Sequence, residues 1–235
     1  MGINYFTYAG KMSTDFGVWI SGESTYQSPE KDIESVVVPG RNGALTIDNN
    51  RFQNINIPYN AYIIEDFRRN FDALKAFLTS VKGYEKLIDT YHPEYYRLAR
   101  FHSAIEPEMT QLNRHGQFTI NFDCDPRRFL RSGEKVMTLT VATALKNPTR
   151  FDALPLLRVY GTGTFTIGGV SITISTADTY TDIDCNAQEA YKGSTSCNMN
   201  IILNNGEFPK LMPGINNISF TGITRIDITP KWWTI

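Results

Sequence analysis

Three cysteines in 235 residues, Cys124, Cys185 and Cys197, form an odd, sparse set with no CxxC pair. Such a count argues against a disulfide framework, and the thiols are expected to be free and buried. No apolar run approaches the roughly 20 residues that a membrane span needs. Met1 to Phe6 lacks the basic region and apolar core of a signal peptide, and Phe6 breaks the myristoylation pattern, so the chain is expected to stay where it is made. A net charge of −1 leaves no bulk electrostatic hold on nucleic acid or anionic membrane. Histidine is scarce: His92, His102 and His115 have no metal-ligand spacing, and surface or half-buried histidine is the ordinary reading.

What is present is the material of a folded protein, 41% hydrophobic and 12% aromatic. A chain of this mass buries about 72% of its unfolded surface, enough for two cores. Charge divides it. Residues 1–135 carry 16 Lys+Arg and 17 Asp+Glu, whereas residues 136–235 carry 7 and 7 together with 16 Thr. A fall in charge with a rise in a β-branched residue predicts two domains, 1–135 and 136–235, joined between Asp125-Pro126 and Asn147-Pro148. Arg127, Arg128 and Arg131 in that stretch form a small basic cluster, which a linker with solvated charge explains equally well.

The first half predicts an α+β domain. Phe67, Phe71, Leu74, Leu78 and Val81 fall on one stripe of a helix over 65–82, with Gly83 placed to end it in a left-handed conformation. Ile55 and Ile57, then Phe118, Ile120 and Phe122, alternate with polar residues as strands do, and Asn113-Arg114-His115-Gly116 predicts a hairpin turn. The second half predicts an all-β sandwich. Gly168-Gly169 between Phe165, Ile167 and Val170, Ile172 is a two-residue hairpin signal, which sets Ile167 opposite Val170 and Phe165 opposite Ile172. Ile183 and Cys185, and Ile226 and Ile228, alternate likewise.

No catalytic constellation is complete. Gly161-Thr162-Gly163 lacks the helix a phosphate loop needs and reads as a strand-end turn. Asp182 and Asp184 share a face of a strand, the spacing of some cation sites and also of any half-exposed strand. Glu106/Glu108 and Asp123/Asp125 are carboxylate pairs of the kind a glycosidase uses, but pairs at i, i+2 arise freely on strands and nothing in the sequence shows a cleft around them. Trp232-Trp233 offers a sugar-stacking face or, more ordinarily, one ring for the core and one for a neighbour. A protein without reactive groups in register works through its surface.

Four ordered patterns resemble the distal tail protein of long-tailed, non-contractile bacteriophages. They are Ser13-Thr14-Asp15-Phe16-Gly17-Val18-Trp19-Ile20, similar to the family's opening strand; Val38-Pro39-Gly40-Arg41-Asn42-Gly43 with Leu45; Phe77-Leu78 through Gly83-Tyr84, Leu87, Asp89 and Pro93-Glu94-Tyr95-Tyr96-Arg97 to Ala99; and Gly206-Glu207-Phe208-Pro209-Lys210-Leu211-Met212-Pro213-Gly214-Ile215-Asn216. Asn147-Pro148-Thr149 and Leu156 to Gly161 resemble the start of that family's C-terminal domain.

The resemblance implies an N-terminal ring-forming domain, a β-sheet or split barrel with one long helix and a β-hairpin, followed by a galectin-like β-sandwich. It implies a structural virion protein, not an enzyme, with no cofactor and no metal. Copies would form a homohexameric ring at the tail tip, assembled in the host cytoplasm. The ring would meet the tail tube protein on one face and the tail-tip fibre or lysin protein on the other, with receptor-binding proteins on the outer domains in some phages. DNA would pass through the channel unread, and no membrane would be bound. Pro39 fixes φ while Gly40 and Gly43 permit positive φ, so the turn presents Arg41 and Asn42 outward; Pro39, Gly40, Arg41, Asn42 and Gly43 form the candidate subunit-interface turn. The other classes are a carbohydrate-binding module, suggested by the sandwich and Trp232-Trp233, and a cell-wall hydrolase, which the residues support little.

Overall fold

The computed structural model describes residues 4–21, 26–110 and 114–235. The chain divides into two compact units, Met1–Arg128 with Ile235, and Phe129–Thr234.

The first unit is an antiparallel sheet around one helix. Its strands are β1 (Phe6–Tyr8), β2 (Lys11–Met12), β3 (Val18–Ser21), β4 (Lys31–Val37), β5 (Ala44–Phe52), β6 (Ile55–Ile63), β7 (Glu85–Asp89), β8 (Tyr95–Phe101), β9 (Glu108–Thr110) and β10 (His115–Cys124). The main sheet runs β2-β1-β7-β8-β10-β6-β3, with β9 paired to β10. It curls on itself: the Ile20 amide of the last strand donates to the Asn4 carbonyl, just before β1, at 3.0 Å. Ser13 fastens the same corner, accepting from the Phe6 amide and donating to the Val18 carbonyl. The stretch Ser13–Phe16 is a 3-10 turn ended by left-handed Gly17, so only the second part of the expected opening strand is strand. Its short polar residues hydrogen-bond locally instead of joining a ladder.

Helix α1 (Phe67–Ser80) is shorter than the periodicity predicts. It buries Phe67, Phe71, Leu74 and Leu78 as expected, and the Phe67 and Phe71 rings meet Phe118 of β10 edge-on. The Thr79 and Ser80 hydroxyls bond back to carbonyls of the last turn, and Val81 turns extended. Gly83 is left-handed, with φ +74°, but lies in the bend that leads to β7 and not at the helix end, which Val81 occupies. The β9–β10 hairpin pairs Glu108, Met109 and Thr110 with Gln117, Gly116 and His115. Asn113 of the expected turn lies outside the described residues.

The second unit contains strands β11 (Arg128–Leu130, shared with the boundary), β12 (Met137–Leu139), β13 (Thr143–Asn147), β14 (Leu156–Ile167), β15 (Val170–Ile174), β16 (Tyr180–Asp184), β17 (Glu189–Lys192), β18 (Thr195–Ser196), β19 (Ile201–Leu203), β20 (Gly214–Thr229) and β21 (Trp233–Thr234). Strands β14 and β20 run side by side for most of their length and are the spine of the unit. The first half of β14 pairs with β16 and the second with β15; β20 meets β13 with one half and β12 with the other. The changeover is built from glycine. Gly161 and Gly163 of β14 lie opposite Gly222 and Ile223 of β20, the register slips there, and a Cβ on Gly163 would sit 2.1 Å from the Thr221 carbonyl oxygen. The expected strand-end turn at Gly161-Thr162-Gly163 is therefore a bulge inside a continuous strand. Side chains from both halves, among them Leu157, Phe165, Ile172, Ile183 and Ile228, share one core. At Gly168-Gly169 both φ angles are positive, +59° and +91°, and Ile167 faces Val170 as expected.

Candidate assembly interface

The residues picked out as an interface turn cap a separate element. Strands β4 and β5 pair only with each other among the described residues, forming a two-stranded ribbon of seven and nine residues. Val38 to Gly43 joins them. The Arg41 amide donates to the Val38 carbonyl at 3.2 Å, and Gly40 has φ +80°, which with proline ahead of it is a type II turn. Pro39, Gly40, Arg41, Asn42 and Gly43 are all exposed.

The ribbon itself carries exposed apolar side chains. Val36 lies opposite Leu45, and Glu34 opposite Ile47, so Val36, Leu45 and Ile47 share a face. All three are exposed, as are Ile33, Val37 and Val38; Val37 reaches 79%. Arg51 pairs with Asp32 and Lys31 with Asp48 at the base of the ribbon, where these exposed ion pairs contribute little. A lone hairpin of this kind is marginal in water unless something packs on it. The strand alternation that identifies other elements is weak here because neither face is buried among the described residues.

The residues considered for chemistry are committed elsewhere. Asp123 takes the Arg100 guanidinium at 2.6 Å and a hydrogen bond from the Asn54 amide at 3.0 Å, while Asp125 takes Arg127 through both oxygens. These bonds hold the Arg100 and Arg127 pKa values above the ordinary arginine value. Arg127 is thus clamped, not a solvated linker charge. Asp182 is 6% exposed and bound by Arg158, and Asp184 caps the next turn through the amides of Asn186 and Ala187. Glu108 accepts from Gln117 along a shallow cleft that Glu106 also lines. No group of three His, Cys, Asp or Glu fit to hold a metal occurs among the described residues. The tryptophans divide: Trp232 is buried, and Trp233 stacks on Phe151 at 4.4 Å with its indole N–H on the Asp152 carbonyl. Cys124 and Cys185 are buried, and burial pushes both thiols up to about 12; Cys197 is partly exposed.

The fold built from these parts is similar to that of solved phage hub and baseplate chains. Over 100% of both chains, with 14% identity and a TM-score of 0.76, it matches the crystal structure of SPP1 Dit, described as a paradigm of the hub adsorption apparatus in Gram-positive-infecting phages. It also matches chains in structures of the phage p2 baseplate in its activated conformation with strontium and with calcium, over 97% of each chain, at 11% identity and TM-scores of 0.53 and 0.52. No family model and no curated protein matches the sequence. The expected resemblance is thereby borne out in the fold: a mostly β chain with one α-helix among the described residues, matching the SPP1 Dit fold over its whole length. That helix, of 14 residues, is too short to cross a membrane.

Proposed function

We propose that this chain is a structural adaptor of a phage tail, a subunit of a homohexameric ring at the distal end of a long non-contractile tail. The observation that carries this reading is the full-length likeness to the SPP1 Dit hub protein. The first unit builds the ring, and the second, a galectin-like sandwich, stands outside it. The ring joins the tail tube protein to the tail-tip fibre or lysin protein, with the outer units available to receptor-binding proteins. DNA passes through without base contacts, and no reaction is catalysed.

The ribbon β4–β5 supports this reading. A closed ring needs heterologous contacts, one patch against a different patch of the next copy. An apolar ribbon ending in a rigid turn is one half of such a contact, and a second copy of this chain is the partner we assign to it. Pro39 to Gly43 then lies against that neighbour. Native mass spectrometry of the purified protein and of a Leu45→Glu/Ile47→Glu variant tests this. A hexamer for the parent and folded monomers for the variant are expected. A monomeric parent, or a hexamer indifferent to the two charges, contradicts the assignment. The rings of Trp232 and Trp233 are occupied within the chain, which removes the main motive for reading the second unit as a sugar-binding module.

A further inference from the structure

The first unit buries a positive charge with no carboxylate bound to it among the described residues. Arg97 lies on β8, where alternation with Ala99 turns it inward, and it is 8% exposed. Its guanidinium donates one hydrogen bond, to the Pro126 carbonyl, at a long 3.4 Å. A second guanidinium stands beside it: Arg128 donates from Nη2 to a backbone carboxylate oxygen of Ile235 at 2.6 Å, but its Nε is buried with no partner. Both arginines line a small cavity with Ile57, Tyr59, Leu87 and Asp89.

Asp89, the one carboxylate in the wall, is already committed. Its Oδ2 accepts from the Tyr59 hydroxyl at 2.7 Å, and its Oδ1 accepts from the amides of Tyr91 and His92 at 3.0 and 2.8 Å. The Arg97 pKa is lowered, by burial first and by the nearby Arg128 as well, which marks an under-compensated cation. An unpaired buried charge is among the costliest features a fold can carry. A water molecule would offer it an oxygen but no opposite charge.

We propose that this cavity is a binding site for one small monovalent anion of halide size, held between Arg97 and Arg128. The free volume is about 20 Å³, room for one particle of water or chloride size and too little for sulfate or phosphate. Charge-assisted bonds from Arg97 and from Arg128 Nε would satisfy the donors that the chain leaves open. The ion would be structural, tying the end of β8 to the segment that closes the first unit. This inference stands apart from the assembly reading and holds whether or not the protein forms a ring.

Calorimetry of the full chain at constant ionic strength, with sodium bromide exchanged for sodium gluconate, tests it. Gluconate is too bulky to enter. At ten times the dissociation constant, bromide is expected to raise melting of the first unit by about 3–6 °C. Arg97→Met should abolish the difference. Equal melting in the two salts, or a difference that survives Arg97→Met, overturns the proposal. Should that variant fail to fold, anomalous diffraction from parent crystals grown in bromide decides the question. A peak between Arg97 and Arg128 is expected, and its absence, or water density alone, overturns the assignment.

Discussion

Arg158 on β14 stands directly opposite Asp182 on β16 and grips it through two bonds, Nε to Oδ1 at 2.6 Å and Nη2 to Oδ2 at 2.9 Å. The same guanidinium lies 4.3 Å from the centre of the Tyr180 ring, and one strand over Arg225 covers Tyr160 at 3.8 Å and reaches Asp227. Two arginine–tyrosine–aspartate sets therefore stitch β16, β14 and β20. Arg158→Met leaves a nearly buried carboxylate without its cation, and the second unit should lose about 1–3 kcal/mol. Urea unfolding measures it. Repeating the change in an Asp182→Asn background should cost less, because the charge to be compensated is gone.

Asn147 and Asn216 bind the family-like segment around Leu211 from two sides. The Asn147 amide donates to the carbonyls of Phe151 and Leu211, each at 2.9 Å, while Asn216 accepts from the Met212 amide and donates back to the Met212 carbonyl, both at 2.8 Å. They are 2% and 1% exposed, so water cannot replace them. Each Asn→Leu change should destabilise the second unit by about 2–3 kcal/mol, read as a lower urea midpoint.

Glycine at the β14–β20 crossing is irreplaceable in a way that most turn glycines are not. Gly206 has φ +74° and no atom within 4 Å of where a Cβ would stand, so Gly206→Ala should cost only about 1 kcal/mol. Gly163→Ala drives a methyl group into the Thr221 carbonyl, backbone that cannot swing aside. That variant should lose at least about 3 kcal/mol or fail to fold, and thermal melting separates the two cases.

Thiol chemistry gives a pH signature in each unit. Burial holds the protons of Cys124 and Cys185 until about 12 in the fold, against 9.0 when unfolded. Only the unfolded chain ionises between these values, so this contribution to stability is complete below pH 9 and declines from pH 9 to 12. The slope is about 1.4 kcal/mol per pH unit for each thiol. Cys124→Ala should flatten the decline for the first unit and leave it unchanged for the second. At about pH 8, alkylation of the native protein should reach Cys197 well before either of the others.

Much of this architecture is legible in the residues because local signals and burial agree. Phe67, Phe71, Leu74 and Leu78 show the helix stripe, and Gly168-Gly169 shows both turn type and register. Where they disagree, sequence misleads. Gly161-Thr162-Gly163 reads as a strand end because its partner, Gly222, is distant in the chain and only pairing reveals the bulge. Arg127 reads as solvated because its clamp on Asp125 depends on the turn between them. The turn at Pro39-Gly40 is evident, but not the length of the ribbon below it, since no buried face imposes alternation on Lys31–Val37. Arg97 sits in the pattern Tyr95-Tyr96-Arg97-Leu98-Ala99, where an inward arginine is the last thing periodicity would select.

The assembly reading stands or falls on whether copies of this chain close into a ring without help from other components. End-on electron-microscope class averages of the purified protein decide it. Six-fold annuli are expected, with an open centre, six outer lobes and a rim that breaks apart when Leu45 and Ile47 are replaced by glutamate. Averages showing isolated single-chain particles, or a closed assembly of another symmetry, would contradict it.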